Sequence, residues 1–190
     1  LYASDLGLDV VNAYNVDYST GTLTLIPDLC LHIQPGRGPR SMAVNPSGTY
    51  LYLTTEMGCT CIVYKKSGLT WKPVQEISTV PKDTLCSNIT AEASLSPDGS
   101  FLYVSNRGHD SIGVKENGSL TPIQWISTQG KTPRSFCMDS GGNWLIAANQ
   151  DSDTLSVFSR DAASGKLNFL HQEYAATPVC VRMYDPVNKS

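Results

Sequence analysis

The chain has 190 residues, and 14 Lys and Arg against 17 Asp and Glu give it a net charge of −3. Its apolar runs are far shorter than the ~18 residues of a bilayer-spanning helix, and it has no block of basic residues for nucleic-acid phosphates. Since 41% of its residues are hydrophobic, it is not intrinsically disordered, and we expect a folded protein without membrane or nucleic-acid partners.

Four β-rich segments recur along the chain, each beginning with Leu, at Leu1, Leu51, Leu102 and Leu145. Their starts are 50, 51 and 43 residues apart. A second shared run begins twelve residues upstream of the last three, at Pro39, Thr90 and Pro133, and a further copy of it begins at Pro178. Each repeat therefore holds four short strands separated by Gly and Pro turns, and none shows the 3.6-residue period of a helix.

A repeat of roughly 40–50 residues with four strands is typical of a β-propeller. With the strands of a unit labelled a to d, the chain begins with b, c and d, continues with three whole units and ends with a strand a at Pro178. We expect an all-β propeller domain over residues 1–190, built of four-stranded antiparallel blades. It amounts to about four blades of a larger ring whose N-terminal blades are missing. A four-bladed ring that closes on itself is the alternative.

The turns between strands a and b indicate where polar side chains meet. If each turn is centred on its Gly, residues at equal distances from that Gly lie opposite each other at the open end of the hairpin. Eight residues out from Gly48, Gly99 and Gly142, the opposed pairs are Arg40 with Glu56, Ala91 with Arg107, and Arg134 with Gln150. Strand a is the innermost strand of a blade, so we expect these side chains, with the adjacent Glu92, around the mouth of the central channel.

This set of residue types favours a small anionic ligand. The planar guanidinium of Arg matches a carboxylate or a phosphate, and a carboxylate between arginines can act as a general base. The alternative is that these residues are ion pairs that only hold the blades together. We expect no cofactor and no metal: Asp151 and Asp153 are too few ligands for calcium, and the Cys spacing does not fit zinc.

Two other groups of residues have simpler interpretations. His109, Asp110 and Ser111 contain the residue types of a catalytic triad, but neighbours in a turn do not face one another, so we predict a turn between strands b and c. Cys59 and Cys61 are two residues apart on a predicted strand and should share one face. With six cysteines and no disulfide framework, we expect free thiols in a reducing compartment, which places the protein in the cytoplasm.

The sequence resembles the lactonase family of seven-bladed β-propellers. That family includes 6-phosphogluconolactonases of the cycloisomerase type and carboxy-muconate lactonizing enzymes. The residues that carry the resemblance are Gly38-Pro39-Arg40, Glu56 sixteen positions after Arg40, the run Ser96-Pro97-Asp98-Gly99, the stretch from Ser105 to Ser111, and Thr132-Pro133-Arg134. It extends over essentially the whole chain.

The resemblance implies a fold, a site and a reaction. It implies a seven-bladed ring with about three blades, and a catalytic His, preceding Leu1. Arg40, Glu56 and Arg107 match the family's site residues, whereas Ser41 and Thr55 stand where His and Asn are usual. The implied function is hydrolysis of a phosphorylated sugar lactone. Arg40 and Arg107 would hold the anion, Glu56 would act as base, and the further substrate-binding residues would be Arg134, Glu92 and Gln150.

Two other functions fit the same residues. The first is the lactonization of a carboxy-muconate by the same arginines and a Glu or His that moves a proton. The second is a non-catalytic propeller that binds a ligand or partner at its rim. The sequence does not indicate an oligomeric state.

Overall fold

A computed structural model describes residues 1–116 and 118–184 of the chain and places them in four antiparallel sheets of four strands each. The first sheet contains β1 (Tyr2–Asp5), β2 (Val10–Asp17), β3 (Thr22–Leu25) and β4 (Leu31–His32). The second contains β5 (Pro39–Val44), β6 (Tyr50–Thr55), β7 (Thr60–Ser67) and β8 (Thr70–Ser78). The third contains β9 (Ile89–Leu95), β10 (Phe101–Arg107), β11 (Ser111–Glu116) and β12 (Thr121–Ser127), and the fourth β13 (Pro133–Met138), β14 (Trp144–Asn149), β15 (Thr154–Arg160) and β16 (Leu167–Tyr174).

The strand order confirms the predicted repeat. In the second, third and fourth sheets the strands lie side by side in chain order, which is the predicted a-b-c-d order. The first sheet begins with strand b, and its outer strand is divided into β3 and β4, which both pair with β2. A 3₁₀ turn at Pro27–Leu29 separates the two pieces, since Pro27 has no backbone N–H to give to a ladder.

The strand expected at Pro178 is not formed in the described residues 178–184. Within the part of the chain that the structure describes, no strand pairs with this segment, and an isolated segment without a neighbour has no ladder to join. The backbone N–H of Val181 instead donates to Ser135 Oγ at 3.4 Å. The segment therefore lies against β13, the first strand of the fourth sheet.

Each sheet packs face to face on the next through alternating side chains. Leu51 and Leu53 of β6 are buried against the first sheet, whereas Tyr52 between them is buried against the third. On β10, Leu102 packs toward the second sheet and Tyr103 toward the fourth. The a strands of successive blades are also in contact: β5 packs on β9, and β9 on β13. This arrangement confirms propeller blades with strand a along the inner edge.

The turn between strands b and c holds the chain as it enters the next blade. Three of these turns carry an Asp in the left-handed region, with φ between 49° and 53°, at Asp9, Asp110 and Asp153. Their Oδ1 atoms accept backbone N–H groups of Gly38 at 2.7 Å, Thr132 at 2.8 Å and Thr177 at 2.7 Å respectively. We call these contacts the latches. The backbone N–H groups of Gly38 and Gly36 hold the pKa of Asp9 below its usual value.

The second blade has a different latch. Cys59 occupies the position of the Asp, with φ 51°, and its Sγ lies 2.9 Å from the carbonyl oxygen of Asn88. The prediction that Cys59 and Cys61 share one face of a strand is therefore wrong, because β7 begins at Thr60 and only Cys61 lies in it. The predicted turn at His109 and Asp110 is confirmed, and Asp110 serves there as the latch of the third blade. The expectation that these side chains do not face one another is wrong for one pair, since His109 Nδ1 lies 2.7 Å from Ser111 Oγ.

Candidate active site

The predicted register of the a–b hairpins is wrong by one residue near the turn and by two at the open end. Leu51 pairs with Val44, and Thr55 with Pro39, so Arg40 is not directly opposite Glu56. The first cause is that Asn45–Gly48 is a β-turn whose hydrogen bond runs from the N–H of Gly48 to Asn45 O. Gly48, at φ 66°, is the last residue of this turn and does not stand at its centre, as in hairpins with a G1 bulge.

The second cause is a register shift inside each hairpin. It falls between Pro39 and Met42, between Val104 and Asn106, and between Pro133 and Ser135. As a result, Ile89 and not Ala91 pairs with Arg107. The last pair of the fourth-blade hairpin is Pro133 with Asn149, so Arg134 does not lie opposite Gln150. Such a bulge bends the strand and redirects its side chains, and it lies beside the predicted site in all three blades.

Hydroxyl side chains fix two of these bulges. Thr54 Oγ1 accepts the backbone N–H of Ser41 at 3.2 Å, and Ser105 Oγ accepts that of Glu92 at 3.0 Å. Sequence reasoning missed both residues. The sequence does carry a common pattern, because a hydroxyl residue stands two positions before the charged residue in both blades: Thr54 before Glu56, and Ser105 before Arg107.

The structure brings Arg40, Glu56 and Arg107 into direct contact. Glu56 Oε2 lies 2.7 Å from Arg40 Nε and 3.0 Å from Arg107 Nη2. The three side chains are 22%, 15% and 7% exposed in the order Arg40, Glu56, Arg107. Glu56 follows the end of β6, where its N–H donates to Gly38 O at 2.7 Å. Two blades therefore supply one charged cluster, in which a single carboxylate oxygen joins two guanidinium groups.

Arg107 is anchored more deeply than Arg40. Its Nη2 also donates to Thr90 O at 3.1 Å, and its buried Nε has no hydrogen-bond partner among the described residues. The hydrogen bonds and ion pairs described for Arg40 involve Nε alone, which leaves Nη1 and Nη2 for a ligand. Burial lowers the pKa of Arg40, as does the nearby Arg107, while Glu56 and Glu92 oppose that effect.

Glu92 lies on β9 beside a cavity of about 320 Å³ that extends between the third and fourth blades. Ser94, Asp139 and Arg182 also line this cavity. Burial raises the pKa of the Glu92 carboxyl, although Arg182 and Arg40 act in the opposite direction. Sequence reasoning missed Arg182, since its position depends on how the segment after Thr177 folds back against β13.

The other two predicted substrate residues are less closely tied to the cluster. Arg134 is half-buried and near enough to Arg40 to lower the pKa of that guanidinium. Gln150 begins a 3₁₀ turn, and its N–H donates to Thr132 O at 3.0 Å. Its Oε1 is buried without a hydrogen-bond partner in the described part of the chain. The structure therefore joins Arg134 to the cluster through charge, and it shows no contact between Gln150 and the cluster.

Other candidate sites find no support in the described ranges. No group of three or more His, Cys, Asp and Glu side chains there is arranged to hold a metal ion. Asp151 instead accepts a hydrogen bond from Thr132 Oγ1, and Asp153 forms the latch to Thr177. All six cysteines are free. A search of the same residues for a helix long and apolar enough to cross a membrane found none.

Comparison with known proteins places this geometry in context. The family model described as lactonase, 7-bladed β-propeller, matches residues 1–183. A protein of Bacillus subtilis named 6-phosphogluconolactonase is 34% identical over 97% of this chain and 54% of its own length. The chain spans about half the length of the curated relatives that it matches.

Two solved structures have the same fold over most of this chain. A protein from Lactobacillus plantarum superposes with a TM-score of 0.91 at 35% identity, over 97% of this chain and 55% of that one. A periplasmic gluconolactonase from Pseudomonas aeruginosa superposes with a TM-score of 0.87 at 30% identity, over 93% of this chain and 51% of that one.

Proposed function

Since the chain belongs to the lactonase family of seven-bladed β-propellers, we propose that the protein it represents hydrolyses a phosphorylated sugar lactone, as a 6-phosphogluconolactonase does. The observation that carries this proposal is the contact of Arg40 and Arg107 with one oxygen of Glu56. Relatives named 6-phosphogluconolactonase support the choice of substrate class. The substrate in this proposal is accordingly a small anionic lactone, and the proposed reaction uses no cofactor.

The charges of the cluster suit an anion. Two guanidinium groups and one carboxylate leave a net charge of +1, and the nearby Arg134 adds to the positive potential. Arg40 can present Nη1 and Nη2 to two oxygens of a phosphate or carboxylate, which is the bidentate geometry that guanidinium favours. We therefore assign Arg40 to the anionic group of the substrate, with Arg134 and Gln150 extending the binding surface.

In this proposal Glu56 acts as the base. Both arginines contact Oε2, and Oε1 has no ion pair among the described residues. In the proposed reaction, Oε1 takes a proton from a water molecule while the water oxygen attacks the lactone carbonyl carbon. Negative charge then develops on the carbonyl oxygen, where the guanidinium group of Arg107 stabilises it. Cleavage of the ring C–O bond yields the hydroxy acid.

The test is hydrolysis of 6-phosphogluconolactone by the full-length protein, with spontaneous hydrolysis subtracted. We expect turnover in the wild type and a loss of at least about 100-fold in kcat for Glu56→Gln, since a general base contributes roughly 10²–10⁴-fold. Glu76→Gln is the matched control, because Glu76 is an exposed carboxylate that pairs with Arg37 away from the cluster.

The outcomes separate the candidate functions. A wild type without turnover above background contradicts the phosphosugar assignment. Activity on a carboxy-muconate would then establish the lactonizing reaction, in which the same arginines hold carboxylates. Retention of full lactonase activity by Glu56→Gln would remove Glu56 from the mechanism. The cytoplasmic location stays a prediction, which fractionation of the native host would test, because one similar protein is described as periplasmic.

A further inference from the structure

A cavity of about 340 Å³ lies where the connection from β4 to β5 meets the outer strands of the second blade. Its apolar walls are Ile33, Ile62, Pro73 and Val74, and its described lining includes no residue of the charged cluster. The volume falls within the range of about 300–1,000 Å³ that is usual for small-molecule sites. The cavity can therefore hold a small molecule that does not occupy the candidate active site.

Tyr64 brings a buried hydroxyl group to this cavity. The residue lines the cavity and is 5% exposed, and its ring belongs to the apolar core between the first and second sheets. Burial raises the pKa of Tyr64 to about 12, and the carboxylate of Glu76 acts in the same direction, so the hydroxyl keeps its proton at neutral pH. It has no hydrogen-bond partner among the described residues. A buried hydroxyl in this state is unfavourable, and a molecule that supplies the missing partner gains affinity.

The equivalent positions of the third blade are filled differently. Tyr64 and Lys115 each follow the register shift of their strand, but Lys115 has a partner, since its Nζ donates to Ser78 O at 2.9 Å. The Trp125 ring centre lies 5.6 Å from that Nζ. Glu76 stands where the third blade has Trp125, because each lies two residues before the end of the outer strand. The second blade thus has a cavity and an unpaired hydroxyl where the third has an indole ring and a paired ammonium group.

The polar groups around the cavity favour an uncharged ligand. Arg37 and Glu76 form an ion pair with each other, so neither charge is left unbalanced. Arg37 Nη2 also donates to Gln34 Oε1 at 3.0 Å, and this leaves the amide N–H groups of Gln34 as donors. A ligand hydroxyl can accept from that amide and can either donate to or accept from Tyr64, because a hydroxyl has both functions. The apolar walls suit C–H groups.

We propose that this cavity binds an uncharged, ring-shaped hydroxylated molecule of the size of a monosaccharide, with the Tyr64 hydroxyl as a direct hydrogen-bonding partner. Such a molecule carries hydroxyl groups around its edge and C–H groups on its faces, which match the polar and apolar parts of the lining. Binding here is separate from the proposed hydrolysis, since the cavity and the charged cluster share no residue.

The experiment measures the binding of D-glucose, D-galactose and myo-inositol to the full-length protein by saturation-transfer difference NMR. We expect at least one of the three to give a saturable signal with a Kd in the millimolar range. In Tyr64→Phe that Kd should rise about five- to tenfold, the effect of one hydrogen bond. The melting temperature should equal that of the wild type, because the hydroxyl has no partner within the protein. Tyr18→Phe is the matched control, since Tyr18 is 93% exposed, and it should leave Kd unchanged.

A second variant, Glu76→Trp, copies the residue of the third blade and should fill the cavity. It should lose the saturable signal while near-UV circular dichroism shows that it is folded. The proposal fails if the wild type binds none of the three molecules, which would mean that the cavity holds only water. It also fails if Tyr64→Phe and a folded Glu76→Trp both keep wild-type affinity. Loss of binding in Arg40→Ala but not in Tyr64→Phe would place the molecule at the charged cluster instead. None of these measurements uses lactone turnover, so a failure here is distinguishable from failure of the proposed function.

Discussion

Replacement of Lys115 by Met should make the stability of the protein less dependent on pH above neutrality. Lys115 lies on β11 with no exposed surface, between the second and third blades. Its Nζ donates to Ser78 O at 2.9 Å and lies 5.6 Å from the centre of the Trp125 ring. Burial lowers the pKa of Lys115 from 10.5 to about 8. The fold therefore contains a cation whose burial costs free energy at neutral pH.

The magnitude follows from that lowered pKa. A decrease from 10.5 to about 8 corresponds to about 3 kcal/mol, at roughly 1.4 kcal/mol for each unit. Between these pH values the unfolded chain binds the proton and the folded chain does not, so the free energy of unfolding rises with pH. Below pH 8 both states are protonated and the full cost remains. The wild type should thus gain about 3 kcal/mol from this group across pH 8 to 10.5.

The assay is urea unfolding followed by circular dichroism at several pH values between 7 and 10.5. The quantity of interest is the difference in unfolding free energy between wild type and Lys115→Met, because titration of other groups is common to both. That difference should change by about 3 kcal/mol in favour of the wild type as pH rises. Lys66→Met is the control, since Lys66 is exposed although it lies 6.0 Å from the Trp71 ring. A pH-independent difference for Lys115→Met would refute the reasoning.

Two further predictions concern the contacts between blades. Tyr103→Phe should destabilise the protein by about 2–3 kcal/mol, because the buried hydroxyl donates to Gly165 O at 2.7 Å and accepts from Arg160 Nε at 2.8 Å. Thermal unfolding checks this against Tyr18→Phe, since Tyr18 is 93% exposed, and equal melting temperatures of the two variants would contradict it. Asp110→Ala should cost about 1–3 kcal/mol, through loss of the latch to Thr132 and strain at φ 49°. Asp110→Asn should cost less, as Asn keeps an acceptor and tolerates that conformation, and an equal loss in both variants would count against the latch.

The architecture was predictable because it depends on local patterns that repeat. Alternating apolar residues such as Leu51 and Leu53 mark strands buried on one face, and the recurring Gly and Pro mark the turns. The unpaired segment at Pro178 was not predictable in the same way. A strand exists only where a neighbour completes its hydrogen bonds, so the pattern Pro178-Val-Cys-Val resembles its three counterparts without forming a ladder.

The composition of the charged cluster was predictable, but its detailed geometry was not. Counting outward from Gly48 identified Arg40 and Glu56 as neighbours, because both lie at the open end of one hairpin. The count placed them in the wrong register, since the position of Gly48 at the end of the turn and the bulge near Arg40 depend on backbone conformation. The surroundings of Glu92 could not be predicted, because its burial arises from a neighbouring blade and from the segment that carries Arg182.

The thiol latch at Cys59 makes the junctions between the blades chemically unequal. A carboxylate holds the incoming backbone at Gly38, Thr132 and Thr177, whereas a thiol, a much weaker hydrogen-bonding group, holds it where the second blade meets the third. The ion pair between Glu56 and Arg107 crosses that same junction. The charged contact at this junction is therefore the ion pair of the candidate site itself, so a ligand that competes for Arg107 would act at the junction that the thiol holds.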